Sequence, residues 1–113
     1  MDTYEISDDE RRGNMQRVVA AEMRNNPEQY WWLSFIDPNL PEGYRFLGGS
    51  IVRAHGIATA LRASHEQGCN PGGAVSGTPI PPNPTLEAFV SEYANTLLSK
   101  SQIDRMEEQI QNL

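Results

Sequence analysis

Along the chain the apolar positions change period several times, and each change predicts an element. Met15, Val18, Val19 and Met23 fall at helical spacing, and Asn25-Asn26-Pro27 supplies a stop. Upstream, Ser7-Asp8-Asp9-Glu10 reads as a capping box, so the helix is expected to begin at about Asp8, with Gly13 weakening its first turns. The run Tyr30-Trp31-Trp32-Leu33-Ser34-Phe35-Ile36 is apolar on both alternating faces, which predicts a central strand. Consecutive aromatics in a strand point to opposite sides. The Trp that faces away from the core therefore needs a cover, and the chain's own terminal helices are the first expectation.

Asp37 to Gly43, with two prolines and a closing glycine, predicts a wide turn. Tyr44 to Arg53 resumes as strand, and the pair Gly48-Gly49 inside it marks a bulge or a place where something approaches the backbone closely. From Gly56 to Gln67 the period is helical, with Ile57, Ala60, Leu61 and Ser64 on one side, and Gly68 is placed as a left-handed cap. Pro71 prevents continuation, and Gly72-Gly73 lead into a third strand over Ala74 to Thr78. Pro79-Ile80-Pro81-Pro82-Asn83-Pro84 is a stiff spacer. Beyond it, Asn83 or Thr85 caps a helix carrying Leu86, Phe89, Val90, Tyr93 and Leu97. Ser101-Gln102-Ile103-Asp104 is a second capping signal before Ile103, Met106, Ile110 and Leu113, so one bent helix or two helices fit equally.

These elements assemble into one α+β domain over residues 1–113, too short for two ordinary cores. An N-terminal helix (1–27) precedes a β-β-α-β centre (28–80) with a small, mainly antiparallel sheet, and a proline spacer with C-terminal helices (81–113) follows. A right-handed crossover would lay the central helix on one sheet face.

Charge narrows the function. The net charge is −6, and its surplus acids sit at the ends: Asp2, Glu5, Asp8, Asp9 and Glu10 at one, Glu87, Glu92, Asp104, Glu107 and Glu108 at the other. Nonspecific nucleic-acid affinity comes from Lys and Arg releasing counterions, so this balance argues against it. Arg11, Arg12, Arg17 and Arg24 read as a solvated helix face. The single cysteine cannot form an internal disulfide, no apolar run approaches the ~20 residues of a membrane span, and the start lacks the pattern of a signal peptide. The expected location is the cytoplasm, of a bacterium or of an infected cell.

Three spaced motifs carry a resemblance: Trp32-Leu33-Ser34-Phe35-x-Asp37-Pro38; Phe46-Leu47-Gly48 with Ile51-Val52-x-Ala54; and Gly68-Cys69-Asn70-Pro71-Gly72-Gly73. Over residues 31–78 the chain resembles a family of short, uncharacterised bacterial and phage proteins. That resemblance implies a bacterial or phage accessory protein and no particular activity.

Candidate chemistry is sparse. Cys69 and His65 are spaced for a thiolate–imidazolium pair, but a cysteine just past a helix C-terminus meets the negative end of the dipole, which suppresses the nucleophile. The intervening helix separates His55 from Cys69 by roughly 15 Å, so no metal site joins them, and neither a metal nor any other cofactor is expected. Arg53, His55 and Gly56 lie where a strand enters a helix, where helix-start amides and a guanidinium would face the same phosphate or carboxylate, with Gly48 and Gly49 giving backbone access. The corner Gly68-Cys69-Asn70-Pro71-Gly72-Gly73 either offers amides to an oxyanion or, the preferred reading, simply reverses the chain. It matches no nucleotide-binding fingerprint.

The sequence therefore reads as a nonenzymatic binding protein in stoichiometric contact with a protein partner or a small anionic ligand, for instance as an antagonist of a host-defence or regulatory protein. For a protein partner the acidic C-terminal helices are the expected surface. The alternatives are a small enzyme using the Cys/His or an acid/base pair, and a structural oligomer; a homodimer would suit the lightly apolar N-terminal helix.

Overall fold

A computed structural model of the chain describes residues 4–5 and 15–113. The capping box Ser7 to Glu10 and Gly13 lie outside the described residues. The elements are β1 (Tyr4–Glu5), α1 (Met15–Asn25), β2 (Gln29–Ile36), β3 (Phe46–Ala54), α2 (Ile57–Glu66), β4 (Ala74–Pro79), α3 (Pro84–Val90) and α4 (Lys100–Gln111), with a 3₁₀ turn at Ser91–Tyr93. The sheet order is β1-β4-β2-β3 and every pairing is antiparallel, which gives the expected α+β architecture. β2 is the axis. It pairs with β3 from Gln29↔Ala54 to Ile36↔Phe46 and with β4 from Trp31↔Pro79 to Ile36↔Ala74.

Because β2 is central, its alternating side chains supply two cores. Trp31, Leu33 and Phe35 face α2 and pack with Val52, Ala54, Ile57, Ala60, Leu61 and Val75. Burying each large apolar side chain contributes about 1.5–3 kcal/mol. Tyr30 and Trp32 face the other way, where Ile51, Val90, Leu98, Ile103 and Met106 form a second cluster built largely from the C-terminal helices. The outward Trp is thus covered by the chain itself. The apolar stripe of α4 is turned inward, while Asp104, Glu107 and Glu108 remain exposed.

Local chemistry explains most boundaries. Gly68, at φ 69°, ends α2: its N–H donates to the His65 carbonyl and that of Cys69 to the Ser64 carbonyl, the paired bonds of a Schellman cap. Asn83, rather than Thr85, caps α3, its side chain accepting from the Thr85 and Leu86 amides at 2.9 and 3.1 Å. The tail holds two helices, and the first is shorter than its apolar spacing predicts. Asn95 adopts φ 62°, its N–H donates to the Ile51 carbonyl, and Leu98 exchanges two backbone bonds with Gly49, so the tail is pinned along the outer edge of β3 where a continuous helix would have to leave it. The second cap is also displaced: Ser99 and Gln102, not Ser101 and Asp104, bond reciprocally to each other's amides.

Candidate functional site

The expected anion site lies where β3 meets α2. α2 begins at Ile57 after Gly56, an N-cap residue with no side chain to receive the first amides. A carboxylate from α1 fills that role. Glu22 Oε2 accepts from the Ala58 N–H at 3.0 Å, and Oε1 accepts from the Thr59 N–H at 2.8 Å and lies 2.9 Å from the Thr59 hydroxyl. Thr59 Oγ1 in turn accepts from the His55 and Gly56 amides. A Cβ on Gly56 would overlap the Glu22 carboxylate, so the absent side chain makes room for the one that arrives from α1.

Arg53 and His55 stand beside this cap and face a second carboxylate. Arg53 Nε donates to Glu28 Oε1 at 2.7 Å, and its guanidinium lies 4.7 Å from the centre of the Tyr30 ring. The guanidinium hydrogen bond, opposed by desolvation and aided by the charges of Arg53 and His55, holds the Glu28 carboxyl below its ordinary pKa; the same bond raises the pKa of Arg53. His55 Nδ1 is 2.9 Å from the Asn26 carbonyl, which can only accept, so that nitrogen carries the proton. The ring's Nε2 is 3.8 Å from Glu28, and the Asn26 amide returns a bond to the His55 carbonyl at 2.8 Å.

The structure therefore brings Arg53, His55 and Gly56 together as the sequence predicts, and places two of the protein's own carboxylates where an external anion was expected. Gly48 and Gly49 do not join them. They lie roughly 13 Å or more along β3 from Arg53, buried beneath Leu97, Leu98 and Trp32. Leu47 is the extra residue of a bulge opposite Phe35 and Ile36, so the glycine pair serves both a bulge and a close approach, of the tail at Gly48 and of the Trp32 ring at Gly49.

The corner is built for chain reversal. Asn70 bridges it, donating to Ser64 Oγ at 3.0 Å and accepting from the Gly72 amide at 2.7 Å, while Gly68, Gly72 and Gly73 take positive φ and Pro71 lies exposed between them. Cys69 is 1% exposed as the buried residue of the Schellman cap, and the His65 ring meets the Asn70 amide at 3.3 Å. Beside them a cleft of about 540 Å³ is floored by Met15, Ala58 and Leu61. Among the described residues no group of three or more His, Cys, Asp or Glu side chains is placed to hold a metal ion, and no helix is long and apolar enough to cross a membrane.

A different surface, which the sequence did not single out, lies at the far end of the β2–β3 hairpin. Seven large apolar side chains are exposed among the described residues, and five of them belong here: Ile36, Leu40, Tyr44, Phe46 and Leu97. Ile36 and Phe46 are a cross-strand pair, Leu40 and Tyr44 sit in the loop that joins them, and Leu97 lies over Gly48. Tyr44 is 77% exposed. The loop is held by backbone and side-chain bonds: Asp37 N–H to the Arg45 carbonyl at 2.8 Å, Asn39 N–H to the Asp37 carboxylate at 2.9 Å, and Arg45 Nε to the Leu40 carbonyl at 2.8 Å. The signal available in sequence was Leu40 within the predicted turn; Tyr44, expected to open the strand, lies instead in the loop, because the strand begins at Phe46. Comparison with protein-family models, curated proteins and solved structures finds no match to this chain.

Proposed function

We propose that the protein acts without catalysis, by stoichiometric contact with a protein partner, and that the contact is made by the hairpin end bearing Ile36, Leu40, Tyr44, Phe46 and Leu97. The supporting observation is the concentration of exposed apolar side chains on and around a loop already fixed by hydrogen bonds. Such a surface loses little conformational freedom on docking, and aromatic anchors are favoured in interface centres. A small anion at Arg53, His55 and Gly56 is the weaker version of this reading, because it would have to displace both Glu22 and Glu28. The motif resemblance supports a partner in a bacterium or in a phage-infected cell, and the reading keeps both proteins in the cytoplasm.

Affinity capture from a bacterial lysate tests this, using the wild type, a Tyr44→Asp/Phe46→Asp variant and a Met23→Asp control that alters an exposed apolar residue elsewhere. The expected result is a protein retained by the wild type and the control, lost with the hairpin variant, and forming a complex of fixed stoichiometry when both components are purified. Equal retention by all three would reject the surface. Self-association of the wild type that the hairpin variant abolishes would replace the partner with a second copy.

A further inference from the structure

We infer that α1 is a releasable strap, latched to the body by the Glu22 carboxylate and able to open while the sheet stays folded. Among its described residues Val19 is the one buried side chain, whereas α2, a residue shorter, buries Ile57, Ala58, Thr59, Ala60, Leu61 and Ser64. The hydrogen bonds that attach α1 are concentrated at its C-terminal end, while its apolar attachment is limited to buried Val19 and to Met15 against the edge of the α2 core. Glu22 spans to Ala58 and Thr59, and Asn26, just past the helix, exchanges two bonds with His55.

The flanks of α1 are thinly packed. The cleft of about 540 Å³ opens at its Met15 end, and another of about 290 Å³ lies between Glu22, Asn26, Trp31 and His55 at its other end. Segments with few buried apolar contacts open at lower free energy than the core they lie on. Release would return the Ala58 and Thr59 amides to solvent, uncover Val19 and lift Met15 from the edge of the α2 core, and leave the β2–β3–β4 pairing, in which α1 takes no part, intact.

Residue-resolved hydrogen exchange under native conditions tests the inference. In the wild type, amides from Val19 to Asn25 should exchange through an opening that leaves Leu33 and Val52 protected. Glu22→Gln keeps one acceptor but turns an NH₂ toward an amide donor, and should speed exchange in α1 about tenfold or more with the sheet unchanged. Arg24→Gln, at an exposed position of the same helix, should change neither. The inference is overturned if α1 in the wild type exchanges only together with Leu33 and Val52, if Glu22→Gln leaves α1 unaltered, or if that variant accelerates helix and sheet equally or fails to fold.

Discussion

Trp31 and Trp32 are neighbours in one strand, and their surroundings differ in kind. Trp31 is 5% exposed and packs against a helix that the chain forms directly after the hairpin and before β4, so its core is made by the β-β-α-β unit. Trp32 is partly exposed beneath helices that arrive after a proline spacer, and a groove of about 340 Å³ runs between it, Ile80, Leu86, Met106 and Ile110. The first face is closed by a crossover whose length and ends are set by its neighbours. The clefts on the first face lie along α1 and leave Leu33, Phe35 and Val52 without exposed surface, whereas the second is closed by a tail pinned at a few backbone bonds and its groove is lined by the cluster itself, Ile51, Val90, Ile103 and Met106. One strand thus supports a tight core and a looser one, and equal truncations on the two faces should not have equal effects.

The largest expected difference comes from deleting a side chain in each. Phe35→Ala removes a ring with no exposed surface, surrounded by sheet and helix, and should destabilise the protein by about 3–5 kcal/mol. Met106→Ala, beside a groove into which its neighbours can relax, should cost about 2–3 kcal/mol. Urea denaturation of both variants checks the ranking. Equal losses would show that the groove closes in solution and that the two faces are packed alike.

A smaller effect sharpens how the second face is held. Gly49 lies directly across from Ser34, and a Cβ there would overlap the Trp32 ring. Gly49→Ala should therefore destabilise by about 1–3 kcal/mol and shift Trp fluorescence as the indole tilts into the groove. Combining it with Trp32→Leu should recover part of the loss. If Gly49→Ala changes neither stability nor fluorescence, the ring already moves freely and the cover over this face is looser than its contacts indicate.

The same contrast accounts for what could be seen in advance. Alternation through Tyr30 to Ile36 placed two aromatic faces on one strand, and Gly68 and Asn83 act through local backbone chemistry, so strand, helix end and cap were all legible. The end of α3 was not. Tyr93-Ala94-Asn95-Thr96-Leu97 contains no proline or glycine, and the helix stops there because Asn95 and Leu98 bond to β3, a tertiary demand without local signature. The candidate site divides in the same way. Arg53, His55 and Gly56 were visible as a strand-to-helix junction that offers donors. The carboxylates that occupy it come from Glu22, 36 residues before Ala58, and Glu28, 25 before Arg53, and no spacing rule couples positions so far apart.

The smallest effect concerns the open margin of the second face, where Arg53 lies over Tyr30 and binds Glu28. The hydrogen bond from Arg53 depresses the Glu28 pKa in the folded state below the ordinary carboxylate value of 4.5. A depressed carboxyl contributes stability that is present above the unfolded pKa and lost as pH falls through the folded one. The contribution should therefore persist at neutral pH and disappear on acidification from about pH 4.5 downward. Both side chains are more than a third exposed, at 42% and 51%, so solvent screening limits the pair to under about 1 kcal/mol. Glu28→Gln should lower the midpoint of urea unfolding slightly at pH 7, with the difference narrowing progressively as the pH is taken below about 4.5 and shrinking in high salt. A difference that neither acidification nor salt reduces would mean that Glu28 acts through packing against Tyr30 and Arg53 instead of through its charge, and the margin of the second face would then be as apolar in character as its centre.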